Sequence, residues 1–450
     1  MKQDHFSRRR FFFGTAMAGA IPVGGFGSVA SLKRLGYKSP NEKLNIAAIG
    51  AGGKGWSDIN GCKRENIVAF ADPDDRSAAR AYKEFPDAPK FKDFRQMLDK
   101  MEKQIDAVTV STPDHVHGTA AMWAMARGKH VYCQKPLTRT IWEARELTAA
   151  AAKYGVASQM GNQGYSNEGA RQCCEMIWNG DIGDVTEVHA WTNRPNRYWA
   201  QGPEVVPHEE PVPANLDWTA WLAGSEMRPY SSVYLPKKWR GFPDFGAGAI
   251  GDMACHIMGT PNMALRLTAP TSVECVKQEG KSQYTFPKQS VIRFDFPARG
   301  AMPAVKIFWH DGLNEQPKFD GVPDGELIGD SDVNGSLFIG SKGLLTTGCY
   351  GERTRLVPAA KMMDYKFPPQ LLTRSPGHYQ DWIRACKGGE PSCSNFSVAG
   401  PFVQWMLLGV IAMKYEGRLD WDAQQGRITN NKEANQWIAP KFRKGWKFAG

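Results

Sequence analysis

Hydrophobic runs of strand length alternate with amphipathic helical segments through the first third of the chain. Strands are predicted over residues 44–50, 67–71, 107–112, 130–133 and 157–160. Helices are predicted to begin near residue 55 and to span residues 77–85, 94–100, 117–127 and 141–154. Strands that alternate with helices at this spacing form right-handed βαβ units. The pattern therefore predicts a doubly wound parallel sheet covered by helices on both faces.

The pattern changes after about residue 162, where the loops lengthen and tryptophans become frequent. Strand-like runs cover residues 185–191, 290–296 and 304–309, and two late amphipathic segments predict helices over 378–386 and 399–415. An open, mainly antiparallel sheet with helices on one face fits this order of segments. We therefore predict a second α/β domain, without internal repeats.

Composition and charge narrow the class of protein. The chain has 450 residues, 42% of them hydrophobic, which is enough for a sizeable core and two domains. The formal net charge is +10, but the first ten residues carry +3 and the last ten carry +4, which leaves +3 for the body. Such a body is not predicted to bind nucleic acid. The nine cysteines are scattered, so we predict mostly buried thiols and neither a disulfide framework nor a metal site.

The N-terminus has the features of an export signal. Residues 7–12, Ser-Arg-Arg-Arg-Phe-Phe, resemble the twin-arginine signal, and residues 11–30 are uncharged and rich in Gly and Ala. We predict a signal peptide over 1–30, a linker over 31–43, and a periplasmic or otherwise exported protein that uses the twin-arginine machinery. No membrane span is predicted for the mature chain. An uncleaved anchor and a basic tail without a targeting role remain alternatives.

A glycine-rich turn follows the first predicted strand. Gly50, Gly52 and Gly55 match G-x-G-x-x-G at the start of a helix, with Gly53 and Lys54 between them. In this setting the glycines permit a tight turn, close approach of a pyrophosphate and helix–strand packing. Asp72 follows Gly50 by 22 residues, at the end of the second strand, where a carboxylate accepts hydrogen bonds from ribose hydroxyls. The turn therefore predicts NAD as cofactor, with NADP left open by Lys54 and Arg76.

Two further segments follow predicted strands on the same edge of the sheet. Thr112, Pro113 and His117 lie in a loop after the third strand, and Lys135 and Pro136 follow the fourth. Ligands of open α/β sheets bind at this edge. A lysine there would hold its ammonium beside the nicotinamide, where it orients a substrate hydroxyl and lowers its pKa.

At this point the sequence resembles the Gfo/Idh/MocA oxidoreductases, in which the glycine turn is followed by a Pro-x-x-x-His loop and a Glu-Lys-Pro motif. Pro113 with His117 and Lys135 with Pro136 fit these motifs, whereas Gln134 replaces the glutamate. The glycine-rich approach to Asp252-x-x-x-His256 is also similar. The resemblance implies a Rossmann domain over 44–162, a substrate and oligomerisation domain over 163–450, and a homo-oligomer.

Asp252 and His256 are four residues apart, which places them on one face if the segment is helical. We predict His256 as the acid/base, Asp252 as the group that positions substrate hydroxyls or the imidazole, and Lys135 as the third catalytic residue. Loops with aromatic and guanidinium groups, at 193–199 and 239–240, could shape a sugar site, from which we select Trp199 and Trp239. Substrate contacts are also predicted for Asn162 and Gln163.

These residues predict an NAD-dependent oxidoreductase that acts on a secondary hydroxyl of a sugar, glycoside or cyclitol. Because free NAD is scarce outside the cytoplasm, an exported enzyme is expected to hold its cofactor tightly and to recycle it. One alternative is a redox-neutral, NAD-dependent glycoside hydrolase that works through a transient 3-keto intermediate. Net formation of 3-keto-glycosides with an electron-accepting partner is another. A non-catalytic exported sugar-binding protein is the third.

Overall fold

A computed structural model of the protein describes residues 42–195 and 197–449. The predicted signal peptide, 1–30, lies outside the described residues, as does nearly all of the predicted linker. No helix within the described ranges is both long and apolar enough to cross a bilayer.

The first domain is a six-stranded sheet with the strand order β3-β2-β1-β4-β5-β6, and all of its pairings are parallel. Its strands are β1 Asn45–Ile49, β2 Asn66–Ala71, β3 Lys90–Phe91, β4 Ala107–Val110, β5 His130–Cys133 and β6 Ser158–Met160. Its helices are α1 Lys54–Cys62, α2 Asp75–Glu84, α3 Phe94–Met101, α4 Asp114–Ala126 and α5 Ile141–Tyr154, with a 3₁₀ turn at Glu102–Gln104. The predicted doubly wound sheet is confirmed.

Local signals explain where these helices begin and end. Asp74 caps α2 by accepting hydrogen bonds from the backbone of its first turn. Thr140 and Glu143 form a capping box at the start of α5, which ends at Gly155 in the left-handed conformation. The predicted start of α4 is wrong: the helix begins at Asp114, three residues earlier, because Pro113 supplies an extended residue at its N-terminus. His117 therefore lies in a helix and not in a loop.

The second domain is a nine-stranded sheet with the order β13-β12-β11-β7-β10-β9-β8-β14-β15, in which only the β7–β10 pairing is parallel. The strands are β7 Val185–Trp191, β8 Ser272–Glu279, β9 Gln289–Phe296, β10 Val305–Asp311, β11 Gly335–Gly340, β12 Gly343–Thr347, β13 Arg355–Val357, β14 Arg418–Asp422 and β15 Arg427–Ile428. The predicted open, mainly antiparallel sheet is confirmed.

The helices of this domain are α6 Glu168–Asn179, α7 Trp218–Leu222, α8 Cys255–Ile257, α9 Gly259–Ala264, α10 His378–Cys386 and α11 Phe396–Ala412. Short 3₁₀ turns cover Gln163–Ser166, Ser232–Tyr234, Lys238–Gly241, Ala359–Met362 and Glu433–Trp437, and a π-helical turn covers Ile250–Ala254. Helix α11 packs against both the second sheet and α5 of the first domain, so one hydrophobic core continues through both domains.

The long connection from β7 to the π-helical turn forms a small aromatic subdomain. We call residues 205–245 the aromatic cover. Its own hydrophobic cluster consists of Leu216, Trp218, Trp221, Leu222, Tyr230, Tyr234, Trp239, Phe242 and Phe245. The cover is anchored to the first domain, because Asn215 and Asp217 exchange backbone hydrogen bonds with the loop between β2 and α2. It therefore lies across the carboxyl edge of the first sheet.

Candidate active site

A cavity of about 790 Å³ lies between the carboxyl edge of the first sheet, the aromatic cover and the π-helical turn. Thirteen predicted site residues line it: Gly50, Gly52, Gly53, Lys54, Asp72, Thr112, Pro113, Lys135, Gln163, Trp199, Trp239, Asp252 and His256. Four predicted residues are not part of its lining, namely Gly55, His117, Pro136 and Asn162. The residues predicted to hold cofactor and substrate thus converge on one cavity that both domains build.

The glycine turn has the geometry that the motif predicts. Gly50 has a φ of 85°, and a Cβ there would lie 2.6 Å from the carbonyl oxygen of Ser111. At Gly55 a Cβ would lie 2.1 Å from the carbonyl oxygen of Gly50, so the residue serves contact between α1 and β1 rather than direct contact with a ligand. Gly53 is open to the cavity and has a φ of 52°.

Asp72 lies at the end of β2 and holds this turn in place. Its Oδ2 accepts hydrogen bonds from the backbone N–H groups of Ala51, at 2.8 Å, and Gly52, at 3.3 Å. Its Oδ1 accepts one from the N–H of Asp74. Burial raises the pKa of this carboxyl group to about 6, against the effect of these hydrogen bonds. The carboxylate still lines the cavity, which leaves its predicted contact with ribose hydroxyls as a prediction.

His117 and Asn162 are buried behind the cavity wall. The two ring nitrogens of His117 lie 2.7 Å from the carbonyl oxygen of Pro136 and 2.9 Å from that of Thr112. The imidazole therefore ties together the two loops that carry Thr112 and Lys135. Asn162 is fully buried, and its Oδ1 accepts a hydrogen bond from Ser394. Both residues therefore act by holding the neighbouring loops in place and not by lining the cavity.

Asp252 is the centre of the charged part of the site. Its Oδ1 lies 2.7 Å from the Lys135 ammonium, and its Oδ2 lies 2.6 Å from a guanidinium nitrogen of Arg194. The Nε of Arg240 lies 3.3 Å from Oδ1. Burial alone would raise the pKa of Asp252, but these three cations together hold it well below its ordinary range. The carboxylate orients these cations, and its predicted contact with substrate hydroxyls stays a prediction.

Lys135 and His256 both lose affinity for protons in this setting. Burial lowers the pKa of Lys135, an effect that Asp252 opposes and Arg240 reinforces. Burial and the neighbouring Lys135 hold the pKa of His256 well below its ordinary value, so the ring is neutral near pH 7. Its Nδ1 is buried and has no partner among the described residues, and its ring lies 4.7 Å from that of Tyr350. A neutral imidazole next to an ammonium group is suited to proton transfer.

Sequence reasoning missed several residues of this site. Arg194 and Arg240 were noticed only as parts of aromatic loops, although both contact Asp252. Asp114, fully buried, accepts from Arg240 at 3.2 Å and from the backbone of Ala247 at 3.0 Å. Tyr350 lines the cavity from a turn after β12, for which the sequence offered no signal. Arginines beside aromatic residues were the signal that could have found the first two.

The structure explains why Gln134 stands where the Glu-Lys-Pro motif has a glutamate. The Nε2 of Gln134 donates to both carboxylate oxygens of Asp58, at 2.9 and 3.1 Å. Asp58 is fully buried on α1 and also accepts hydrogen bonds from Ser111 and Tyr379. A glutamate at position 134 would face this carboxylate, and two buried like charges in contact are strongly unfavourable. The amide at position 134 therefore suits the neighbouring Asp58, to which it donates.

A doubly wound domain with this glycine turn, joined to an open sheet that completes the cavity, defines a two-domain protein of the dinucleotide-binding class. Comparison with protein families agrees. Residues 44–162 match an oxidoreductase family described as an NAD-binding Rossmann fold, and residues 184–286 match the C-terminal α/β domain of the same family. The chain belongs to the Gfo/Idh/MocA oxidoreductase family, and its first domain is an NAD-binding Rossmann domain.

The curated relatives include dehydrogenases of sugars and cyclitols. Inositol 2-dehydrogenase of Serratia proteamaculans is 26% identical over 206 residues, which is 44% of this chain and 60% of that enzyme. Levoglucosan dehydrogenase of Pseudarthrobacter phenanthrenivorans is 27% identical over 135 residues, 29% of this chain and 34% of that enzyme. The chain thus matches less than two thirds of the length of these relatives.

Solved structures share the whole fold at low identity. The WlbA dehydrogenase of Bordetella pertussis, in complex with NADH and UDP-GlcNAcA, aligns with a TM-score of 0.59 and 15% identity over 85% of this chain and 99% of its own. An inositol dehydrogenase homologue of Azotobacter vinelandii, with NADH and myo-inositol, aligns with a TM-score of 0.54 and 17% identity over 86% and 100%. At these identities the likeness establishes the fold.

Proposed function

We propose that the protein transfers hydride between a secondary hydroxyl carbon of a sugar, glycoside or cyclitol and an NAD that stays bound through the cycle. The observation that carries this proposal is the convergence of Lys135, Asp252 and His256 on the cavity that the glycine turn opens into. The sugar and cyclitol dehydrogenases among the relatives support the same class of substrate.

The residues present fit the cofactor. The turn at Gly50 leaves no room for a side chain, and Gly53 lines the cavity without any neighbour within 4 Å of a Cβ. The glycine turn at the start of α1 would hold the pyrophosphate, and Asp72 would hold the adenosine ribose. Bound NAD supplies the hydride acceptor and donor.

Each catalytic residue has a task that its contacts support. The Lys135 ammonium, held by Asp252 at 2.7 Å, donates a hydrogen bond to the reacting hydroxyl oxygen and stabilises negative charge on it. The neutral His256 accepts the hydroxyl proton and returns it in the reverse direction. Asp252 keeps Lys135 oriented and counters its charge.

The aromatic cover supports retention of the nucleotide. Asn215 Nδ2 donates to Asp74 Oδ1 at 2.6 Å, and the carbonyl oxygen of Asn215 accepts from the backbone of Asp75 at 3.1 Å. Further along, the carbonyl oxygen of Trp221 lies 3.0 Å from a ring nitrogen of His115. These contacts hold the cover over the cavity that would receive the cofactor, which supports a nucleotide that stays bound between turnovers.

Retention also favours the second candidate function. Such a glycoside hydrolase would oxidise C3, remove the C2 proton as the C1–O glycosidic bond breaks, add water across the C1–C2 double bond and reduce the ketone again. This cycle needs no exchange of its NAD. Net conversion of glycosides to 3-keto-glycosides, with the electrons passed to an acceptor, is a third version of the reaction. We also propose that the protein is exported by the twin-arginine route. Intact Lys135, Asp252 and His256 argue against a protein that only binds sugar.

The test is to denature the purified protein and assay the nucleotide released, and then to add free sugars and aryl glycosides to the intact protein without external NAD. Reduction of the bound nucleotide by sugar supports the oxidoreductase, and aglycone release without net reduction supports the hydrolase. His256→Asn should lower turnover by about 10²-fold or more. His208→Asn, an exposed histidine on the cover, is the matched control. Absence of both bound and bindable nucleotide would overturn the proposal.

A further inference from the structure

The charges at the substrate end of the cavity do not balance. Three cations meet there, Lys135, Arg194 and Arg240, against two carboxylates, Asp252 and Asp114. Asp252 needs one partner and has three, and Arg240 is shared between both acids. With a neutral His256, the cluster carries one positive charge in excess.

The cofactor end of the cavity has its own charged lining. Four cations line it, Lys54, Arg76, Lys92 and Lys237, together with three carboxylates, Asp72, Asp74 and Asp93. Lys54 and Lys92 also pair with Asp58 and Asp75 outside the lining. The cluster around Asp252 is separate from these groups, because its three cations and two carboxylates contact one another at the wall formed by the π-helical turn and by the loops that carry the two arginines.

A cation without a matching negative charge is unfavourable in this position unless a bound ligand supplies that charge. The side chains of Lys135, Arg194 and Arg240 are only 12%, 20% and 13% exposed. Charges withdrawn from water need a partner, because their attraction to opposite charge is what offsets lost hydration. The Nε of Arg194 is buried and has no partner in the described part of the chain, so the contact with Asp252 leaves this guanidinium incompletely hydrogen-bonded.

Both arginines are held as flat, rigid donors. The guanidinium of Arg194 lies 3.6 Å from the ring centre of Tyr198, and that of Arg240 lies 4.4 Å from the ring centre of Trp239. Stacking fixes the plane of each guanidinium. The edge of Arg194 contacts Asp252, and that of Arg240 contacts both Asp252 and Asp114. A guanidinium edge matches the two oxygens of a carboxylate, which is why arginine recognises that group specifically.

We propose that the substrate carries a carboxylate, as a hexuronate or other sugar acid does, and that Arg194 and Arg240 bind it beside Lys135. One negative charge neutralises the cluster, whereas a phosphate ester would bring nearly two. This inference rests on the proposed function, since it names the substrate class of the same site. The carboxylate takes no part in the redox step: the oxidised carbon loses hydride, and the hydroxyl proton passes to His256.

The test uses the protein with its bound nucleotide and pairs of ligands that differ only at C6: methyl glucuronide against methyl glucoside, and the corresponding galactose pair. Calorimetry gives the Kd, and reduction of the bound nucleotide gives the rate. The acid should bind at least about tenfold more tightly than the neutral sugar. A neutral sugar that binds as well as or better than its acid overturns the inference. A preference for a 6-sulfate over the carboxylate overturns the choice of anion.

Variants separate this binding role from a general effect on the site. Arg194→Gln should remove most of the preference for the acid, measured as the ratio of the two Kd values. Arg197→Gln is the matched control, because Arg197 is in the same loop but is 60% exposed and pairs with Asp332. Nucleotide that is bound and reduced by neutral sugars without any preference for acids refutes only this inference. Absence of nucleotide refutes the proposed function as well.

Discussion

Asp311 is a buried carboxyl group that forms no ion pair with any described residue. At the end of β10 its Oδ1 accepts from the backbone N–H and the hydroxyl of Ser290, at 2.8 and 2.9 Å. Its Oδ2 accepts from the indole N–H of Trp309 at 3.1 Å. Burial raises its pKa from 3.8 to about 7, although these hydrogen bonds oppose the change. Ionisation of this one residue is thus coupled to the stability of the second sheet.

The sign of that coupling can be measured. In the unfolded chain Asp311 loses its proton near pH 3.8, whereas in the folded protein it keeps it until about pH 7. The folded state therefore binds more protons in this window. The contribution of Asp311 to the free energy of unfolding falls as the pH rises from 3.8 to about 7. We expect chemical denaturation to show a loss of stability across this window that Asp311→Asn removes. Asp324→Asn, at an exposed loop position, should leave the pH dependence unchanged.

At the scale of elements, the contact of α1 with β1 decides whether the glycine turn can bind phosphate. Gly55→Ala would bring a Cβ to 2.1 Å from the carbonyl oxygen of Gly50, where only backbone movement can relieve the clash. We expect a loss of about 2 kcal/mol in the free energy of unfolding and loss of bound nucleotide. Calorimetric melting and nucleotide content of the purified variant measure both effects.

A glycine in open surroundings provides the comparison. At Gly343, at the start of β12, the nearest atom to a Cβ is Lys361 Nζ at 3.5 Å, and φ is not in the left-handed region. Gly343→Ala should therefore keep both stability and nucleotide. Retention of nucleotide by Gly55→Ala would mean that close packing of α1 is not needed for the phosphate site.

The elements of the first domain were predictable from local patterns. Strand β5 and helix α5 have the predicted bounds, because each carries a complete hydrophobic period between clear start and stop signals, and strand β7 of the second domain has them too. The two-residue strand β3 was missed, since a pair of residues has no periodicity. The turn over Ile250–Ala254 is π-helical, so Asp252 and His256 do not lie on one regular α-helix. Both side chains nevertheless line the same cavity.

At the scale of the whole molecule, the aromatic cover and the first domain meet at Asn215. Replacing it by aspartate would set a carboxylate against Asp74, which now accepts from Asn215 at 2.6 Å. Repulsion should lift the cover, and we expect Asn215→Asp to release bound nucleotide at least about tenfold faster, as followed by dilution into a nucleotide scavenger.

The same substitution elsewhere tests whether the effect is local. Asn179 on α6 also donates to an aspartate at 2.6 Å, Asp181, but lies outside the cavity. Asn179→Asp should leave the release rate unchanged. Equal release rates in Asn215→Asp and the unmodified protein would show that the cover does not retain the nucleotide.

The sequence by itself determined the parallel sheet and the glycine turn with Asp72, because these signals depend on periodicity and spacing over short stretches. The candidates Lys135, Asp252 and His256 came from motifs that resemble those of a known family. Only the tertiary structure decided which charges meet. Lys135 and Asp252 are 117 residues apart, Arg194 and Asp252 are 58 apart, and Asp114 and Arg240 are 126 apart. No local pattern shows that residues so far apart in sequence are in contact, since this depends on how two domains pack around one core. The excess positive charge, and with it the inference about the substrate, exists only after that packing.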